Sequence, residues 1–170
     1  IRVAVRIGNA ARVLADLREA RTDLAVLNLI GPDAGLHAEA LYRDRIVAFL
    51  RADHPRAGRG IELAELAELP LVLREPGSAT RALLLQALER AGIAPRIALE
   101  LGSREAVREA VLAGLGVGVV FEKELVPDPR LRSATIGGAD LSAAASLACL
   151  PERRRLRVVQ AFFALARSAS

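Results

Sequence analysis

The chain has 170 residues, of which 52% are hydrophobic and 26% are charged, so it is long enough to bury a sizeable core and too apolar to be disordered. Its net charge of +4 comes from 24 basic and 20 acidic residues mixed along the sequence, which argues only weakly for a nucleic-acid surface. No apolar run approaches the roughly 20 residues of a membrane-spanning helix, so we predict a soluble protein without a membrane contact. The single cysteine excludes a disulfide framework.

The first part of the chain predicts a strand, a helix and a second strand. Residues 1–8, IRVAVRIG, alternate as a half-buried strand does, and because the chain starts without a methionine we expect it to be a fragment. A helix is predicted over residues 9–21, with Asn9 as its N-cap, followed by a buried strand over residues 22–30. This order predicts a βαβ unit with parallel strands, whose ligand-binding end lies around Asn28.

The middle of the chain predicts a change of lobe and then a new alternation of helix and strand. Residues 36–50 are extended, and the composition shift into the polar loop 51–60 is the candidate first crossover. A short helix over residues 61–69 and a strand over residues 70–75 follow. The turn PGSAT then opens a helix that ends at Gly92.

The last part continues the α/β pattern. Ser103 is predicted to cap a helix that lies between two strands, RIALELG and LGVGVVFEKEL. Two further strands, LRSATI and ASLACL, precede a C-terminal amphipathic helix over residues 155–168. We therefore predict an α/β protein.

The glycines, histidines, cysteine and basic run of the sequence do not form patterns that indicate a catalytic, metal or cofactor site. The glycines of LAGLGVGVV close a helix and open a strand, which is the wrong order for a dinucleotide-binding loop. His37 and His54 lack partners at metal-ligand spacing, and no GxSxG motif is present. Cys149 fits a small core residue, and the basic run of residues 151–157 fits a solvated turn. We predict neither an enzyme nor a cofactor.

The turn PGSAT, residues 76–80, leaves two alternatives open. Ser78 or Thr80 suits a plain N-cap, because a hydroxyl oxygen accepts a hydrogen bond from a helix N–H group. The same turn suits an anion site, since a helix N-terminus has unpaired N–H groups and a positive dipole end. Ser103 opens a second helix and Asn28 ends a strand, so three polar positions would converge if the turn binds a ligand.

Residues 70–120, from PLVLREPGSAT to GLGVGVV, closely resemble the effector-binding domain of LysR-type transcriptional regulators, and GNAARVLADLREARTDLAVL matches that family upstream. The resemblance implies an α/β fold of the type 2 periplasmic-binding-protein kind, in which two lobes joined by two crossover strands hold a small ligand in the cleft between them. Lobe I would comprise residues 1–50 and 143–170, and lobe II residues 51–142. The resemblance implies that the family's winged helix-turn-helix domain and its first βα unit, part of lobe I, lie outside this sequence.

By position, the resemblance implies an effector site without a catalytic residue or a metal. Relatives often have glycine or a hydroxyl residue at the position of Ala79, so this chain lacks one hydrogen-bonding group there. Backbone N–H groups of such a turn favour an oxyanion, and Arg81 would add positive charge. Residues 116–131 also resemble a subgroup associated with 2-aminoethylphosphonate catabolism. The implied ligand-binding residues are Asn28, Arg74, Gly77, Ser78, Ala79, Thr80, Gly102, Ser103 and Phe121.

The resemblance implies a bacterial, cytoplasmic regulator that senses a small anionic metabolite, such as a phosphonate. It would form a homodimer or homotetramer and would contact DNA only through the missing N-terminal domain. The alternative is a periplasmic solute-binding protein of an uptake system, which shares the fold. An enzyme with this fold is a third hypothesis, and the absence of a catalytic pair of residues disfavours it.

Overall fold

The computed structural model describes residues 2–168, and the chain divides into two compact units. Unit 1 comprises Ile1–Arg43 and Ala143–Ser170, and unit 2 comprises Asp44–Ser142. The chain therefore passes between the units twice, first within a long strand and again next to Ser142. Each unit has its own buried residues and is described separately.

The secondary structure is mixed α/β, as predicted, and two short 3-10 helices lie at Glu122–Glu124 and Pro151–Arg155. None of the helices that residues 2–168 form has the length and apolar character needed to traverse a lipid bilayer. In chain order the elements are α1 (Ala10–Arg18), β1 (Ala25–Leu29), β2 (His37–Arg51), β3 (Ile61–Glu62), α2 (Leu63–Glu68), β4 (Leu71–Arg74), α3 (Ala79–Arg90), β5 (Ile97–Leu101), α4 (Arg104–Leu112), β6 (Val117–Phe121), β7 (Leu131–Gly137), β8 (Ser142–Cys149) and α5 (Arg157–Ser168).

Unit 1 is built on the antiparallel pair of β1 and β8, in which Val26 lies opposite Leu147. Helix α1 starts as predicted, because the Asn9 side chain accepts a hydrogen bond from the Arg12 N–H at 2.9 Å. Leu17 of α1 is fully buried against the strands. Helix α5 buries Val159 and Phe163 in a second cluster, which includes Cys149.

Unit 2 is built on a mixed sheet in which β4 pairs in parallel with both β5 and β6. The second half of β2 pairs antiparallel with β6 and β7, and β3 is a short strand beside β7. The close approach of β4 and β6 depends on Gly116, whose Cβ, if present, would lie 2.1 Å from the Pro70 carbonyl oxygen. Gly118 similarly faces the Phe49 ring.

The first predicted strand is wrong for the described part of residues 1–8, and residue 1 lies outside the described residues. Residues 2–9 have no regular structure, and Val3, Val5 and Ile7 are 59%, 81% and 93% exposed. A strand needs a neighbour that pairs with its backbone groups, and no described strand lies beside these residues. The expected parallel pairing of residues 1–8 with residues 22–30 is also wrong, because β1 pairs antiparallel with β8.

Candidate functional site

The predicted turn lies at the C-terminal end of β4. This strand ends at Arg74, and the Ser78 N–H donates to the Glu75 carbonyl at 3.2 Å, which closes the turn. Gly77 has φ +94°, a conformation that favours glycine. Helix α3 begins at Ala79, with Ser78 in the N-cap position. The turn therefore aims the N-terminus of a 12-residue helix at the sheet edge where β4 ends.

The Ser78 hydroxyl does not cap this helix, which corrects the simplest interpretation of the turn. Its Oγ lies 2.9 Å from the Thr80 Oγ1, and the structure records no side-chain hydrogen bond that caps α3. Both residues are buried, with exposed fractions of 5% and 6%. Among residues 2–168, no side chain is thus recorded as an acceptor for the first backbone N–H groups of α3. Within the hydroxyl pair one group donates to the other, which leaves one hydroxyl hydrogen for another acceptor.

The two arginines near the turn are paired with carboxylates. The Arg74 Nε and Nη2 donate to the two carboxylate oxygens of Glu75 at 2.7 and 2.9 Å. The Arg81 Nη1 donates to the Arg74 carbonyl oxygen at 3.1 Å, and its Nη2 lies 2.6 Å from Glu100 Oε1. Both guanidinium side chains are mostly buried, at 14% and 15% exposure. The positive charge expected here is therefore matched locally by Glu75 and Glu100, for which the sequence pattern gave no signal.

The second predicted helix start lies at the same sheet edge. Strands β4 and β5 are parallel with Arg74 opposite Leu101, and the Glu75 N–H donates to the Leu101 carbonyl at 3.0 Å. Ser103 caps α4 as predicted, because its Oγ accepts from the Ala106 N–H at 3.0 Å. Gly102 is exposed between the strand and this cap.

The Glu105 carboxylate also belongs to the start of α4. Hydrogen bonds from its own backbone N–H and from the Ser103 hydroxyl, together with the charges of Arg104 and Arg74, hold the pKa of Glu105 below its ordinary value. Glu105 therefore stays ionised at neutral pH and adds negative charge beside the end of β4. The N-termini of α3 and α4 consequently form one polar edge, which combines N–H groups, hydroxyls and paired charges.

Phe121 lies at the end of β6, and its side chain is 2% exposed. Since β6 runs parallel to β4, the end of β6 faces the same edge of the sheet of unit 2. The next residue, Glu122, accepts two hydrogen bonds from the Arg45 guanidinium at 2.9 and 3.1 Å. Phe121 is thus a buried side chain beneath this edge, and its predicted contact with a ligand stays a prediction.

Asn28 belongs to unit 1 and is considered there alone. It lies in β1 opposite Ala145. Its Oδ1 is buried and accepts no hydrogen bond from the described residues. Burying an amide oxygen that accepts no hydrogen bond costs free energy, so this oxygen is free to accept a hydrogen bond. The predicted role of Asn28 in ligand binding stays a prediction.

Comparison with known sequences identifies a family. The model of the LysR substrate binding domain matches residues 1–170. The RuBisCO operon transcriptional regulator of Acidithiobacillus ferrooxidans is 36% identical over 115 residues, which cover 67% of this chain and 37% of that protein. The chain spans less than half the length of the curated relatives it matches. These relatives are transcriptional regulators and not enzymes.

Solved structures with the same fold contain bound small molecules. The regulatory domain of CcmR from Synechocystis PCC6803, in complex with 2-PG, superposes with a TM-score of 0.88 at 23% identity and covers 99% of this chain and 83% of its own. The effector binding domain of QuiR, in complex with shikimate, has a TM-score of 0.82 at 19% identity, over 94% of this chain and 77% of that one. The predicted type 2 periplasmic-binding-protein-like fold is confirmed.

Proposed function

The chain belongs to the LysR substrate binding domain family, and from this premise we propose that it senses a small anionic metabolite at the polar edge of unit 2. The ligand would contact the start of α3, namely Gly77, Ser78, Ala79 and Thr80, together with Gly102 and Ser103 at the start of α4. A domain outside this sequence would contact DNA. The protein would act in the cytoplasm as a homodimer or homotetramer.

The observation that carries the proposal is the uncapped N-terminus of α3. No side chain in the described part of the chain caps its first N–H groups, although Ser78 occupies the N-cap position. Such N–H groups, with the positive end of the helix dipole, favour an anion. The hydroxyl pair of Ser78 and Thr80 adds one free donor beside them. Carboxylate, phosphate and phosphonate groups all match this set of donors.

The pairing of Arg74 and Arg81 with carboxylates determines which groups would contact the anion. An incoming anion meets guanidinium groups that are already neutralised by Glu75 and Glu100. Backbone N–H groups and hydroxyls would therefore supply the main contacts, and long-range attraction would contribute little. We expect the affinity to depend weakly on salt, because screening acts mainly on unpaired exposed charges.

The effector that we propose is a small carboxylate or phosphonate. Shikimate, present in the QuiR structure, is a carboxylate, and it supports an anionic ligand here. The resemblance of residues 116–131 to a subgroup associated with phosphonate catabolism supports phosphonates as the first compounds to test. A periplasmic solute-binding protein is the alternative with this fold, and the regulatory relatives argue against it.

Regulation would require the anion to bind two states of the protein differently. A ligand that binds both states equally shifts neither of them, whatever its affinity. Control of DNA binding is therefore a coupling between this domain and the DNA-binding domain of the full-length regulator. Ligand-dependent operator binding by the full-length protein is the corresponding readout.

The test is the thermal unfolding midpoint of the chain in the presence of small carboxylates, phosphates and phosphonates. A bound anion at about 100 times its Kd stabilises the protein by about 2.7 kcal/mol. Ser78→Ala combined with Thr80→Ala should remove this shift. Ser133→Ala combined with Thr135→Ala is the matched control, because these residues have the same chemistry and spacing and are exposed on β7. An equal shift in the Ser78/Thr80 variant, or no shift with any anion, would refute the proposed site.

A further inference from the structure

Unit 1 contains a cavity that the proposed effector site does not use. It lies between the start of β2, the 3-10 helix Pro151–Arg155 and α5, and its volume is about 370 Å³. Cavities of roughly 300 to 1,000 Å³ are typical of small-molecule sites. All of its lining residues belong to unit 1, and Gly77 to Thr80 belong to unit 2. The cavity and the uncapped end of α3 therefore belong to different units and share no residue.

Two aromatic rings form one wall of this cavity. The ring centroids of His37 and Phe163 are 5.0 Å apart and the ring planes are tilted by 47°. Phe163 is 3% exposed and packs in the buried cluster of Cys149 and Val159, so its position is set by the core. Phe163 therefore fixes the base of this wall, and the partly exposed His37 ring and Ala164 provide the surface that a flat ring can contact.

The charged residues of the cavity leave one positive charge unmatched. The Arg167 Nη1 donates to both carboxylate oxygens of Glu39 at 3.0 Å, and the His37 Nε2 lies 3.5 Å from Glu39 Oε1. Arg154 also lines the cavity, and the structure gives its side chain no hydrogen bond or ion pair within residues 2–168. With Glu39 matched by Arg167, the guanidinium of Arg154 is available to an external anion. Arg154 is exposed, so its guanidinium can bind one carboxylate without breaking an existing ion pair.

We propose that this cavity is a second ligand site, which binds a compact monoanion composed of a ring and a carboxylate. The ring packs on His37 and Ala164, next to the buried Phe163, and the carboxylate accepts hydrogen bonds from Arg154. A guanidinium binds a carboxylate through two parallel hydrogen bonds, which fixes the orientation of the ligand. The bound molecule bridges β2, the 3-10 helix and α5, so it stabilises unit 1. This site does not depend on the effector site proposed for unit 2.

Phenylacetate is a suitable probe, and its binding to the chain can be followed by NMR chemical-shift titration. We expect saturable binding in the millimolar range, with much weaker binding of acetate, which lacks the ring, and of phenylacetamide, which lacks the charge. Arg154→Gln should weaken phenylacetate binding about tenfold. Arg155→Gln is the matched control, because Arg155 is in the same basic run and does not line the cavity. Equal affinities of the two variants would overturn the assignment of Arg154.

A second pair of variants tests the cavity itself. Ala164 lines the cavity and is exposed, so Ala164→Leu should occupy part of the space and abolish binding without disturbing the core. Ala161→Leu is the control, since Ala161 is exposed on the same helix and does not line the cavity. The combined Ser78→Ala and Thr80→Ala variant should bind phenylacetate normally. Loss of binding in that variant, with normal binding by Ala164→Leu, would locate the probe in unit 2 and overturn the inference.

Discussion

Replacement of Gly116 by alanine should strongly destabilise unit 2. Gly116 has φ +153°, and a Cβ there would lie 2.1 Å from the Pro70 carbonyl oxygen and 3.1 Å from a methyl carbon of Val72. The obstacle is backbone, and the same Pro70 oxygen accepts the Val117 N–H at 2.8 Å where β6 joins β4. The chain can make room for a methyl group only by moving β6 away from β4.

The magnitude follows from three contributions. A residue other than glycine in such a backbone region costs about 1–3 kcal/mol. Loss of the Val117 hydrogen bond costs about 1 kcal/mol, and the neighbouring side chain of Val72, which is fully buried, loses packing as well. We expect a total of about 3 kcal/mol, a large fraction of the stability of an ordinary domain.

Urea unfolding followed by circular dichroism measures this change. Gly102→Ala is the matched control, because no atom lies within 4 Å of a Cβ at this position and its φ is not positive. The control should leave the free energy of unfolding unchanged or slightly raised. If Gly116→Ala unfolds within about 1 kcal/mol of the parent chain, the backbone adapts easily, and the argument from the close approach of β4 and β6 is wrong.

Three further predictions concern other contacts. Ser103→Ala should lower the free energy of unfolding by about 1 kcal/mol through loss of the α4 cap, and urea unfolding with no measurable change would contradict this. Hydrogen bonds from the side chain and backbone of Arg130, with the charge of Arg108, hold the pKa of Asp128 far below its ordinary value. The ionised Asp128 therefore stabilises the fold fully above pH about 4, and this contribution is lost as the pH falls through the lowered pKa of the folded state. Asp128→Asn should therefore destabilise the chain at pH 7 and less so at strongly acidic pH, and an equal shift of the unfolding midpoint at both would refute the assignment. Burial raises the pKa of the Cys149 thiol, which is fully buried, so a disulfide-exchange reagent should label it only after unfolding, and rapid labelling of the folded chain would refute this.

Sequence patterns predicted the elements whose signals are local. Asn9 and Ser103 were assigned as N-caps, and both accept the expected hydrogen bond from the helix N–H group. The extended segment predicted over residues 36–50 is observed as the strand β2, His37–Arg51. These features depend on neighbours within a few residues, or on apolar periodicity, and both are readable in one chain.

Features that depend on distant neighbours were not predictable in the same way. The alternation in residues 2–8 fits a strand, but no described strand pairs with it. Ser78 occupies the predicted N-cap position, yet its hydroxyl pairs with Thr80, because local spacing does not determine a rotamer inside a packed site. Glu100 neutralises Arg81 only because β5 lies beside β4, and spacing along the chain gives no signal for that pair.

The division of the chain also has a consequence for the order in which the protein forms during synthesis. Unit 2 is one continuous segment, Asp44–Ser142, so the pairing of β6 and β7 with the second half of β2 needs no residue beyond Ser142. Unit 1 pairs Ala25 with Ala148, so β1 must wait until almost the whole chain has emerged. Closing so long a loop is slow in an open chain, and a folded unit 2 shortens the effective loop. A truncated chain that ends at Ser142 should therefore contain a protease-resistant unit 2 and an unprotected β1.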